Sequence, residues 1–195
     1  MSRYKYPAFA NTRPLCTIRT QADIIEMETR PKIKLTLSKL DKNLELTGKI
    51  FLVVMWGLTL YTFLKLPTTI PIHFNASGKA DSYGNKLTLL ILPVLGTVIY
   101  VGLTQLNKYP QLFNYMTKIN EDNAERQYSI ATRMLRFLKL AILVIFSLII
   151  LFTYLTTIGL TNGLGSWFLP LTIGLLLIPV IISIRQSFKK KNNVV

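Results

Sequence analysis

Four long apolar stretches constrain this chain more than any other feature. Ile50–Leu66 reads IFLVVMWGLTLYTFLKL, Leu87–Leu106 reads LTLLILPVLGTVIYVGLTQL, Leu140–Ile158 reads LAILVIFSLIILFTYLTTI and Trp167–Ile184 reads WFLPLTIGLLLIPVIISI. They are 17, 20, 19 and 18 residues long. As helices rising roughly 1.5 Å per residue they reach about 26–30 Å, the thickness of one hydrocarbon core. Lys65 is the only charged residue within them, and it lies one residue from an end. A charge at mid-membrane would cost roughly 3 kcal/mol or more, so this near-absence is what lipid solvent requires. One all-apolar helix fits inside a soluble protein, but four without a polar face leave no soluble surface to pack behind. The expected fold is an all-α integral membrane four-helix bundle.

The basic residues give an orientation. The segments between the apolar stretches carry 10, 2, 6, 0 and 4 Lys or Arg, counted from the N-terminus over 1–49, 67–86, 107–139, 159–166 and 185–195. This alternation is the positive-inside pattern of a chain with both termini and the middle loop in the cytoplasm. It also accounts for the net charge of +14: most basic residues fall where anionic lipid attracts them. A nucleic-acid footprint would need a compact basic face with groove-reading or aromatic elements, which the sequence lacks, so no nucleic-acid partner is expected. The bilayer is the expected partner.

Cys16 is the only cysteine and His73 the only histidine. That excludes an intramolecular disulfide and a CxxC site, and leaves no metal or other cofactor expected. With no Asp, Glu, His or Arg at mid-membrane, an ion-coupled carrier lacks its usual parts. Residues 1–31 are polar, contain Pro7, Pro14 and Pro31, and read as flexible, with Met27 as an alternative start. The membrane domain is expected over 32–184 and a basic tail over 185–195, with a short amphipathic lead into the first span. In the middle loop Asn120 is placed to cap a helix whose apolar positions Ile130, Ala131, Met134, Leu135 and Leu138 form one stripe. This predicts an amphipathic cytoplasmic helix at the membrane surface running on into the third span, and 120–139 is where a cytoplasmic protein partner would dock. In the spans, Pro93, Pro170 and Pro179 are expected to kink their helices, and Gly96, Gly102 and Gly174 to permit close helix contact.

The first external loop, Leu66 to Lys86, is the most distinctive text: LPTTIPIHFNASGKADSYGNK. Pro67 and Pro71 fix their own φ and push the preceding residues toward extended conformations, so the chain should leave the membrane stiff and non-helical. Asn75, Ser77, Gly78, Gly84 and Asn85 mark turns. His73, Asp81 and Lys86 are the side chains with possible chemistry: a group titrating near neutrality, a proton or cation acceptor, and an anion or lipid-phosphate holder. Each also has a structural use, as a backbone hydrogen-bonder, a turn cap and a snorkelling lysine. Asn75-Ala76-Ser77 matches an N-glycosylation acceptor.

This loop resembles the signature of a bacterial membrane family known as domain of unknown function 1648. The pattern LPxxIPxHFNxxGxxDxxGxK falls on Leu66, Pro67, Ile70, Pro71, His73, Phe74, Asn75, Gly78, Asp81, Gly84 and Lys86. The resemblance covers roughly Lys32 to Leu140. The same domain occurs in SdpI-type proteins, which protect bacteria from a secreted peptide toxin and relay its presence to a cytoplasmic repressor. The resemblance implies no catalytic residues. The leading expectation is therefore a non-enzymatic membrane protein whose ordered extracytoplasmic loop senses or binds a peptide or lipid, through Pro67, Pro71, His73, Phe74, Asn75, Gly78, Asp81, Gly84 and Lys86. A membrane enzyme acting at the outer face is the rival, and it requires His73 and Asp81 to meet over a cleft. A small transporter or accessory subunit is the third.

Overall fold

Ser38 starts the first helix. Its hydroxyl accepts from the backbone N–H of Asp41 at 3.2 Å while the Asp41 carboxylate accepts from the Ser38 N–H at 3.0 Å, a reciprocal capping box. In the computed structural model, which describes residues 30–189, helix α1 then runs Lys39–Lys65. Leu66 turns extended (φ −87°, ψ 153°) ahead of Pro67, which ends the helix as the proline pair predicts. Residues 1–29 and 190–195 lie outside the described residues, and with them Met27 and most of the basic tail.

The segment after α1 is not merely ordered loop. It forms an antiparallel hairpin of β1 (Thr69–Phe74) and β2 (Ala80–Asn85), with Thr69 opposite Asn85 and Phe74 opposite Ala80. The register slips after Pro71, which has no N–H to give the ladder. This hairpin adds one small sheet to the expected helical bundle: among the described residues the fold is otherwise helical. A 3₁₀ turn, Lys86–Leu90, is capped by the Asn85 side chain, which accepts from the Leu87 N–H at 2.9 Å, and leads into α2 (Ile91–Leu106). After residues 107–120, Asn120 and Asn123 form a second capping box, and α3 runs unbroken over Glu121–Thr157. Helix α4 covers Phe168–Phe188.

Among the described residues four helical segments are long and apolar enough to cross a membrane, α2 together with its leading 3₁₀ turn, and the chain is a multi-pass membrane protein. Helix α3 is central, packing against α1, α2 and α4. The main core joins Met55, Leu66, Ile70, Leu89, Tyr100, Leu143 and Ile150. Gly96 admits this packing, since a Cβ there would lie 3.0 Å from Met55 and 3.2 Å from Phe146; Gly102 has nothing within 4 Å and Gly174 meets only Ile178 of its own helix, so neither serves helix contact as expected. Pro93 and Pro170 fall in the first turns of α2 and α4, where a missing N–H interrupts little, and only Pro179 is internal. Helix α4 packs on α3 and buries no residue completely.

The bundle has two distinct ends. One carries the hairpin and the α3–α4 connection. At the other, residues 30–38 and 107–120 fold against the start of α3. There Ile119, Ala124 and Tyr128 form a second cluster with Leu35 and Tyr115, Tyr128 donates to the Pro31 carbonyl at 3.2 Å, and Arg30 donates to those of Gln111 and Phe113. The segment 120–139 runs on into the third span as the first half of one continuous helix, and Ile130, Ala131, Met134, Leu135 and Leu138 are all half-buried along it.

Candidate functional site

The hairpin places its polar residues by backbone geometry. Asn75 accepts on Oδ1 from the N–H groups of Ser77 and Lys79, at 3.0 and 3.1 Å, which closes the turn. Gly78 adopts φ +75°, a conformation that suits glycine. The turn docks on the α3–α4 connection: the Leu164 N–H donates to the Gly78 carbonyl at 2.7 Å, and Lys79 bridges Gly163. A Cβ on Gly78 would sit 2.4 Å from the Gly165 carbonyl oxygen, so glycine is required here twice over. Gly84 lies under the Ile72 side chain, whose Cδ1 is 2.7 Å from where a Cβ would be.

His73 and Asp81 meet across the hairpin, with Nδ1 and Oδ1 2.5 Å apart. Nδ1 is the ring nitrogen turned to the carboxylate, which leaves Nε2 facing away from the pair. Both side chains are exposed, His73 at 66% and Asp81 at 41%. Asp81 therefore holds the imidazole rather than capping a turn. Lys86 turns toward α1. Its ammonium donates to the carbonyls of Phe63 and Leu66, at 3.0 and 3.1 Å, and lies over the Phe63 ring. It satisfies free carbonyls at the C-terminus of α1, where a cation also complements the helix dipole.

Next to β1 lies a cavity of about 420 Å³. Ile70, Leu89, Thr153 and Leu164, all buried, line it. Ile149, Leu92 and Phe168 complete the wall, and His73, Phe74 and Pro71 stand along β1. Sequence reasoning found the β1 side of this site and missed the rest, because Ile149, Thr153, Leu164 and Phe168 come from α3, the connection and α4, which look like ordinary span residues. Of the nine residues expected in the site, Pro71, His73 and Phe74 line the cavity and Asp81 touches it through His73. Pro67, Asn75, Gly78, Gly84 and Lys86 shape the hairpin.

A second polar cluster, which the sequence reading did not single out, ties the opposite end. Arg133 grips Asp41 with two bonds, Nε to Oδ1 at 2.8 Å and a terminal nitrogen to Oδ2 at 3.1 Å. One turn on, Glu45 accepts from Arg136 at 3.0 Å and from Lys139 at 2.6 Å. Lys139 has no exposed surface, also donates to Thr104 at 2.9 Å, and lies over the Tyr100 ring. Burial pushes the Asp41 carboxyl up, but the bonds from Arg133 and Ser38 outweigh it and hold it at about 2, below the usual 3.8. Asp41 lies in the first turn of α1, ahead of the apolar run beginning at Ile50. The readable signal was spacing: Asp41 and Glu45 are i, i+4, and Arg133, Arg136 and Lys139 follow at intervals of three, so each set lines one helix face. No group of three metal-ligating side chains occurs among the described residues.

The hairpin falls within a segment that is similar to known proteins. Residues 50–97 match the family described as "Domain of unknown function (DUF1648)". An uncharacterized protein of Archaeoglobus fulgidus is 34% identical over 73 residues, covering 33% of this chain and 40% of that protein, so the chain spans less than half the length of this relative. No solved structure matches. The match takes in most of α1, both strands and the first turns of α2, and with them every hairpin residue described above: over residues 50–97 this chain is similar to the DUF1648 domain.

Proposed function

We propose that this is a non-enzymatic protein of a bacterial cytoplasmic membrane whose hairpin faces outward and binds a peptide or lipid. The cavity beside β1 carries the reading: it combines buried apolar walls with the His73–Asp81 pair alongside, the usual make-up of a small-ligand site. The distribution of basic residues supports the orientation, since the hairpin end is the one poor in Lys and Arg. A periplasmic reporter such as alkaline phosphatase should be active when inserted in 159–166 and inactive when fused after Val195; the reverse result overturns the orientation. In a strain with a deletion phenotype, His73→Ala/Asp81→Ala should abolish function while membrane insertion persists. Lys86 is left intact in that variant because it caps α1. Wild-type behaviour of the double variant would reduce the hairpin to a structural cap.

One observation favours a second reading. His73 and Asp81 do meet at hydrogen-bond distance beside a cavity, which is what an enzyme using His73 as general base, oriented by Asp81, requires. Chemical turnover of an added amphiphilic ester by purified protein, lost in His73→Gln, would select the enzyme. Stoichiometric binding without product selects the receptor.

A further inference from the structure

The cavity beside β1 has a buried interior and an exposed edge. Among its lining residues Ile70, Leu89, Leu164 and Thr153 are each at most 5% exposed. Ile72 and Ile91, also lining it, are 45% and 61% exposed, so the entrance is flanked by apolar side chains. We propose that this cavity holds one hydrocarbon chain of an amphiphile that enters from the bilayer, with its polar head near His73. This deepens the binding reading above and rests on it.

Three observations select this ligand class. The first is the supply of polar partners. A peptide brings an N–H and a C=O at each residue, and burying these unpaired is costly. The walls offer few hydroxyls: Thr88 already donates to the Asn85 carbonyl at 2.9 Å, which leaves Thr153. A hydrocarbon chain asks for no partner. The second is size. About 420 Å³ lies near the lower end of the roughly 300–1,000 Å³ range of ligand pockets, room for one chain rather than a two-chain lipid. The third is position. The entrance side chains Ile72 and Ile91 belong to the hairpin and the first turn of α2, where the bundle leaves its apolar spans.

The far wall lies outside the family domain. Ile149, Thr153, Leu164 and Phe168 fall beyond residues 50–97. The hairpin is thus the shared part of the site, and these four side chains set which chain fits. The Leu164 N–H bonded to the Gly78 carbonyl fixes one of them in place.

The test uses the full-length protein in lipid nanodiscs with a diazirine-bearing palmitate, irradiated and mapped by peptide mass spectrometry. Adducts are expected at Ile149, Thr153, Leu164 and Phe168. They should fall about tenfold when unlabelled palmitate is in about tenfold excess, by simple competition. Adducts at Val98, an exposed position of α2, report bulk lipid and should fall only in proportion to the probe's dilution in the bilayer. Wall labelling in excess of that dilution is therefore the supporting result, and Ile149→Phe, which fills the cavity, should suppress it at the other three positions. Wall labelling no more saturable than Val98 overturns the proposal. If instead a diazirine-bearing apolar peptide labels the same wall and palmitate does not displace it, the ligand class is wrong while the binding reading stands. If neither probe labels the wall saturably, both fall.

Discussion

Removing Glu45 should damage this protein more than removing the cation it holds. Lys139 has no exposed surface and Arg136 only 7%, and both bond to the one Glu45 carboxylate. Glu45→Ala therefore strands two cations, whereas Lys139→Met removes one buried charge and leaves Glu45 paired with Arg136. Breaking a buried ion pair by deleting one partner typically costs about 3–5 kcal/mol. Glu45 is 23% exposed, so water softens the loss, and Lys139 keeps Thr104 and the Tyr100 ring. These place Glu45→Ala at the lower end, about 3 kcal/mol. Lys139→Met should cost about 1 kcal/mol or less, as replacement of a buried charge by an apolar side chain of similar length often does. Once Lys139 is Met, Glu45→Ala strands only Arg136, so the double variant should show a coupling of about 1–3 kcal/mol between the two positions. Equilibrium unfolding by SDS in bicelles measures all four proteins. Additive effects, or Glu45→Ala costing less than Lys139→Met, would refute a shared buried bond as the tie among α1, α2 and α3.

The neighbouring pair gives a pH prediction. The Asp41 carboxyl is held down, so its contribution is complete above its ordinary value of 3.8 and is lost as pH falls through about 2. Wild type should therefore lose stability over that window relative to Asp41→Asn, and a constant gap between them would count against the bond. Gly78→Ala should cost about 2 kcal/mol or more, from its positive φ and the clash with Gly165, while Gly57→Ala, with open space around it, should be neutral or stabilising by about 1 kcal/mol; thermal unfolding in detergent compares the two. Lys86→Met should cost about 1.5–3 kcal/mol by removing charged bonds to the α1 carbonyls. It should leave palmitate labelling of the cavity measurable in whatever fraction remains folded.

The spans were legible because lipid demands something a single stretch of sequence can show: about 20 residues with no ionised group. The helix ends were legible where a side chain caps its own backbone, as Asn120 does, or where proline forbids continuation, as after Leu66. The hairpin was half legible. Pro71 and the alternating text of β1 said extended, but a pairing partner is a property of two segments, and ADSYGN has little of the β-branched or aromatic character that marks a strand. The acceptors of Lys86 were not legible for the same reason, since they lie 20 and 23 residues earlier in the chain.

That distinction between local and paired signals explains why the two ends of the bundle differ in their tolerance of change. At the hairpin end, backbone meets backbone: Leu164 N–H on the Gly78 carbonyl, Lys79 beside Gly163, with glycines where any side chain would collide. Such a contact specifies shape and leaves the cavity-lining side chains free to vary without loosening the clasp. At the other end the same helices are held through side chains, and Arg133, Arg136 and Lys139 each depend on Asp41 or Glu45. Substituting Ile149 or Phe168 should therefore alter what the cavity accepts while the bundle stays assembled. Substituting Glu45 should loosen α1 from α3 without touching a single cavity residue. If the cavity variants unfolded as readily as Glu45→Ala, the division of labour between backbone and side chains would be wrong, and the hairpin end would have to be counted as part of the load that keeps the helices together.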